Sequence, residues 1–157
     1  MVQRLSEKDL AAVDMDTMGV AMWQSKTTGE PSEWIPDAGD EWHNEHDWIV
    51  SADKLDHYMA EYNPQVIAGL AANQSEVFDR FDRLILLTCS EKTFLRRIEQ
   101  RVGNRYGKDN SERSRILRTY KAMEREMIGH GAIVVDTDGS LDRVVEDVRS
   151  AIGAPTS

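Results

Sequence analysis

Apolar positions in this chain gather into short runs separated by amphipathic stretches. Leu84-Ile85-Leu86-Leu87-Thr88 and Ala132-Ile133-Val134-Val135-Asp136 are the two clearest runs. Runs this short, bounded by turn residues, read as buried strands. Leu10-Ala11-Ala12-Val13 and Gln65-Val66-Ile67-Ala68-Gly69-Leu70 are weaker instances of the same pattern. Strands are therefore predicted near 10–14, 65–70, 84–88 and 132–136. Helical patterns lie between them. Ser51 is placed to cap a helix running to about Tyr62, where Asn63-Pro64 stops it. Asn73-Gln74-Ser75 leads into a short helix with Val77, Phe78 and Phe81. Ser90 caps a helix from Glu91 to about Arg101, and Asn110 or Ser111 caps a longer one to about Met127, ended by Gly129 and Gly131. Leu141, Val144, Val145, Val148 and Ile152 form a last helical stripe, and Met1 to Leu5 reads as the tail of a helix. Residues 17–50 are read as irregular, with Gly29, Pro31, Pro36 and Gly39 as turn signals. Strands alternating with helices predict an α/β fold, a three-layer parallel sheet with helices on both faces.

Composition narrows the partners. The 157 residues suit one domain, 1–157, with a core of its own. A formal net charge of -9 argues against nucleic acid as a partner, because binding a polyphosphate backbone rests on many cationic contacts. A local arginine cluster could still hold one nucleotide. No apolar run approaches the roughly 20 residues of a membrane span, so no membrane partner is expected. The N-terminus, Met1-Val2-Gln3-Arg4-Leu5, is too polar for a signal peptide. Cys89 is the single cysteine and follows an apolar strand, where it reads as a packed side chain. A cytoplasmic protein is expected, and oligomeric state is not legible.

Candidate chemistry sits at the strand exits. Asp14 and Asp16 leave the first strand two residues apart. If the chain stays extended, both carboxylates face one way, toward the crevice where open α/β sheets bind ligands. They could hold Mg²⁺ or accept a hydroxyl proton there, or simply make the exit turn. Asn73 and Gln74 follow the strand at 65–70 and could bind substrate, with helix capping as the equal alternative. Arg96, Arg97, Arg101, Arg105 and Lys108 crowd five cations into residues 96–108. Arg96 and Arg97 fit a solvated helix face. Arg101, Arg105 and Lys108 flank the glycines of Gly103-Asn104-Arg105-Tyr106-Gly107-Lys108, where mobile bidentate donors suit phosphate. Asp136-Thr137-Asp138-Gly139 ends the last strand at the same rim, as a ligand loop or as a turn and cap. Trp23, Trp34, Trp42 and Trp48 all lie within 17–50, so that segment is expected to fold over something, and Trp23 is a candidate substrate contact. His43 and His46 make only a weak metal signal.

In this order the residues carry a resemblance. Asp14-Met15-Asp16, Gly69-Leu70-Ala71-Ala72-Asn73-Gln74, Phe81 to Leu87, Asn104 to Lys108 and Val135-Asp136-Thr137 resemble the sequence of elements in small P-loop kinases. The resemblance is closest to AAA-type ATPases of kinase form, related to adenylate and shikimate kinases, and spans nearly the whole chain. It implies ATP and Mg²⁺ as cofactors and phosphoryl transfer to a small acceptor: a nucleoside, a sugar acid or an antibiotic hydroxyl. Asp14 would sit near Mg²⁺ and Asp16 near the acceptor, with Asn73 and Gln74 on the acceptor side. Arg101 and Arg105, in a lid of about 101–112, would reach the phosphates with Lys108. Asp136, Thr137 and Gly139 would border the adenine. All are expected in one crevice. The departure is at the start. The glycine-rich G-x-x-x-x-G-K-[ST] that cradles phosphate is absent, and Val2-Gln3-Arg4-Leu5 resembles the last turn of the helix that follows it. In the family that first strand lies between the third and fourth, so the strands at 65–70 and 84–88 should flank a vacancy. An upstream stretch outside these residues is expected. The alternatives are a non-catalytic relative that binds a ligand or partner, and an interaction protein using the tryptophan segment.

Overall fold

The computed structural model describes residues 1–35, 39–100, 102 and 110–153. The chain divides into two compact units, Met1–Arg80 and Phe81–Ser157. Mixed α/β structure is present in both.

The first unit opens with α1 (Val2–Ser6) and β1 (Ala12–Asp14). Helix α1 is a single turn and could not persist alone. It is held because Leu5 is 1% exposed, making it one of the most deeply buried side chains. A 3-10 turn, Met15–Thr17, follows β1. Then come β2 (Ala21–Ser25), β3 (Pro31–Ser32), α2 (Asp40–Glu45) and β4 (His46–Val50). The segment expected to be irregular is thus an antiparallel sheet in the order β3-β2-β4, with Trp23 opposite Trp48. Its tight turn closes through Gly29, whose φ of +72° only glycine adopts without strain. Helix α3 (Ala52–Tyr62) begins and ends as the sequence predicts. Ser51 Oγ accepts from the Lys54 N–H, and Asn63 is left-handed with φ 45°. Strand β5 (Val66–Ala68) pairs in parallel with β1, Asp14 opposite Ala68. A 3-10 segment, Gln74–Arg80, completes the unit. Its core is Leu5, Met15, Val20, Val50, Leu55, Ala71 and Val77.

The second unit carries β6 (Ile85–Thr88), α4 (Glu91–Gln100), α5 (Asn110–Gly129), β7 (Ile133–Asp136) and α6 (Leu141–Gly153). Strands β6 and β7 are parallel, Thr88 opposite Asp136. Helix α6 buries Val144, Val145 and Val148 of the apolar stripe seen in the sequence, together with Ala151, while Leu141 is 47% exposed and Ile152 half-buried. Its C-terminus is met by Arg83, whose Nη1 donates to the Ala151 and Ile152 carbonyls. A cation there satisfies the last carbonyls and opposes the helix dipole.

Two expectations are corrected. The described residues form three small sheets, two parallel and one antiparallel, rather than one three-layer parallel sheet. Strand β5 pairs with β1 and β6 pairs with β7, and among the described residues no strand links the two pairs. Nor is β7 covered on both faces: Val135 is buried, but Ile133 and Val134 are 37% and 49% exposed. An apolar run gives burial potential without saying whether a second layer exists to realise it.

Candidate functional site

Parallel pairing places the exits of β1 and β5 at one end. The β1 exit is tightly built. Asp14 is the N-cap of the 3-10 turn, its Oδ1 accepting the Asp16 N–H at 3.0 Å. Thr17 Oγ1 donates to the Asp14 carbonyl at 2.8 Å. The strand therefore stops at Asp14, and the alternation invoked to align Asp14 with Asp16 does not reach Asp16, which lies exposed inside the turn. Gly69, just past β5, comes so close that a Cβ on it would lie 2.5 Å from Met15 Cβ. Only glycine lets these two exits touch.

Asn73 has a different task from the one expected of it. Its Oδ1 accepts from Val50 N–H at 2.9 Å, and its Nδ2 donates to Val50 O at 3.0 Å. The side-chain amide thus extends β4 as a neighbouring peptide group would. The second amide hydrogen goes to Glu76 Oε2 at 3.0 Å. Both donors are spent. Gln74 is half-buried at the start of the 3-10 segment, its N–H on Ala71 O at 3.3 Å. Among the described residues its side chain has no hydrogen-bond partner.

Trp23 is the hub of an aromatic layer. Its ring lies 5.0 Å from Trp42 and 5.6 Å from both Trp48 and His43. Trp42 stacks on His46 at 4.1 Å, and His46 Nδ1 is 2.8 Å from the Trp42 carbonyl. Edge-to-face and stacked contacts at these separations are those of aromatic side chains packed on one another. Among the described residues no group of three or more His, Cys, Asp or Glu side chains is placed to hold a metal. Asp14 keeps Oδ2 without a hydrogen bond among those residues. That donor set fits Mg²⁺ only in the mode where one carboxylate, waters and substrate phosphates share the ion.

In the second unit, the exits of β6 and β7 carry the other candidates. Thr137 is buried, and its Oγ1 donates to Thr88 O at 2.8 Å while accepting from Arg97 Nη1 at 2.8 Å. Arg97 Nη2 donates to the Thr137 carbonyl. Asp138 accepts from Ser90 N–H at 3.1 Å and Ser90 Oγ at 3.2 Å, at the N-terminal end of α4. Its carboxyl is held below the usual aspartate range, first by a hydrogen bond from the Thr93 side chain, which desolvation partly opposes, and then by the hydrogen bonds from Ser90 and by nearby Arg97. Asp136 Oδ1 takes the Asp138 N–H at 2.7 Å. Gly139 is exposed in the turn before α6. These contacts make 136–139 a turn and cap tied to α4.

Arg97 and Asp138 were therefore undervalued in the sequence. The available signal was spacing: Thr93 and Arg97 are four apart on α4, on one face, and both work against the same strand exit. Arg101, Arg105 and Lys108 lie outside the described residues. Comparisons with family models, with curated proteins and with solved structures find no match to this chain.

Proposed function

We propose that this chain is a P-loop-kinase-like phosphotransferase, which moves a phosphoryl group from Mg²⁺-ATP to a hydroxyl on a small acceptor. One observation carries the reading. The parallel pairs are β1 with β5 and β6 with β7, and β5 and β6 share no strand partner among the described residues. That is the pairing the family sheet would keep if its first strand were taken away. The same strand belongs with the phosphate-binding loop, which the sequence also lacks. On this reading Asp14 Oδ2 and Gln74 serve the acceptor and metal side, Arg101, Arg105 and Lys108 the phosphates, and Asp136 to Gly139 the base.

The test is a thermal-shift and phosphoryl-transfer screen of nucleotides and hydroxyl acceptors. It is run on the 157 residues and on the chain extended by the codons that precede Met1 in frame. A nucleotide-dependent rise in melting temperature, with Mg²⁺-dependent turnover in the extended chain, supports the reading. No response in either form overturns it.

The second reading is a non-catalytic ligand- or partner-binding relative. The amide of Asn73, spent on Val50 and Glu76, favours it. An in-frame upstream segment without G-x-x-x-x-G-K-[ST] would decide for this reading.

A further inference from the structure

We draw no further inference here: the strongest candidate, the layer of Trp23, Trp42, His43, His46 and Trp48 rings on the antiparallel sheet of the first unit, with Trp34 and Ile35 exposed beyond β3, packs ring on ring, and nothing in the structure shows what covers it.

Discussion

Gly69 is the residue whose replacement should matter most for its size. A methyl group there meets Met15 Cβ at 2.5 Å, and a Cβ cannot rotate away. Gly69→Ala should lower stability by about 1–3 kcal/mol, the usual range for overpacking, read as a fall in the urea midpoint. Asn73 is tested by a different logic. Asn73→Ala strips the partner from both main-chain groups of Val50, so it should cost about 2 kcal/mol in the same measurement. A substitution that left stability untouched would return Asn73 to the list of ligand contacts. Asp138 supplies the pH dependence. Its folded pKa is lowered, so the stability it contributes is present above the ordinary aspartate pKa and is lost as pH falls through the folded value. Asp138→Asn should therefore be less stable than the parent at pH 7, with the gap narrowing as both are acidified below the ordinary aspartate pKa. The side chain is exposed, so added salt should shrink the gap as well. A gap that widened on acidification would contradict the sign.

Elements were legible where a terminus signal and a period agreed. Helix α3 shows both: Ser51 supplies the cap, Asn63 the left-handed stop, and Leu55 the buried face. Helix α6 shows the period alone, realised at Val144, Val145 and Val148 but not at Leu141, which is 47% exposed. The antiparallel sheet was missed because its signal is physically absent from the pattern. All five residues of β2 are half-buried, so neither face of that strand is distinctly apolar and no alternation appears. What marks it instead is the turn with Gly29 and two aromatic residues, Trp23 and Trp48, in register across strands. Cross-strand aromatic pairs do the work that a buried face does elsewhere. If so, Trp23→Ala should unravel the hairpin's order first. We expect a loss of near-ultraviolet circular dichroism and roughly 2 kcal/mol of stability, below the 3–5 kcal/mol of a fully buried aromatic truncation. At the site, strand exits and loop residues could be placed from sequence. The partners that use them up, Val50 for Asn73 and Arg97 for Thr137, could not, because they are far away in the chain and belong to no local pattern.

At the scale of the whole molecule, the question is what a two-stranded parallel sheet is doing here. Such sheets are marginal by themselves, and parallel strands are ordinarily buried within larger ones. The Leu84 and Thr88 carbonyls face β7, where they accept from Ile133 and Thr137. By alternation the Leu87 carbonyl faces the other way, and the Tyr120 hydroxyl donates to it at 3.3 Å. Burial raises the Tyr120 pKa, so the phenol stays protonated and keeps its donor. One side-chain hydroxyl thus stands where the N–H of a neighbouring strand would be. A strand added at that edge would have to displace it, and under the kinase reading that strand also brings the phosphate loop. Without the loop, nothing fixes the β- and γ-phosphates in line with an acceptor, and transfer rests on positioning and charge stabilisation. On the kinase reading, the 157 residues alone should therefore bind Mg²⁺-ATP weakly and turn it over poorly. A chain extended by an in-frame phosphate loop should recover turnover, and in that chain Arg105→Ala should reduce kcat on the order of a hundredfold, the usual effect of removing one charge-stabilising donor. Hydrogen exchange at Ile85 and Leu87 should slow in the extended chain as the added strand pairs with β6. Full activity in the short chain would show that the loop is dispensable. Slowed exchange without turnover would mean the sheet is completed for binding rather than for catalysis.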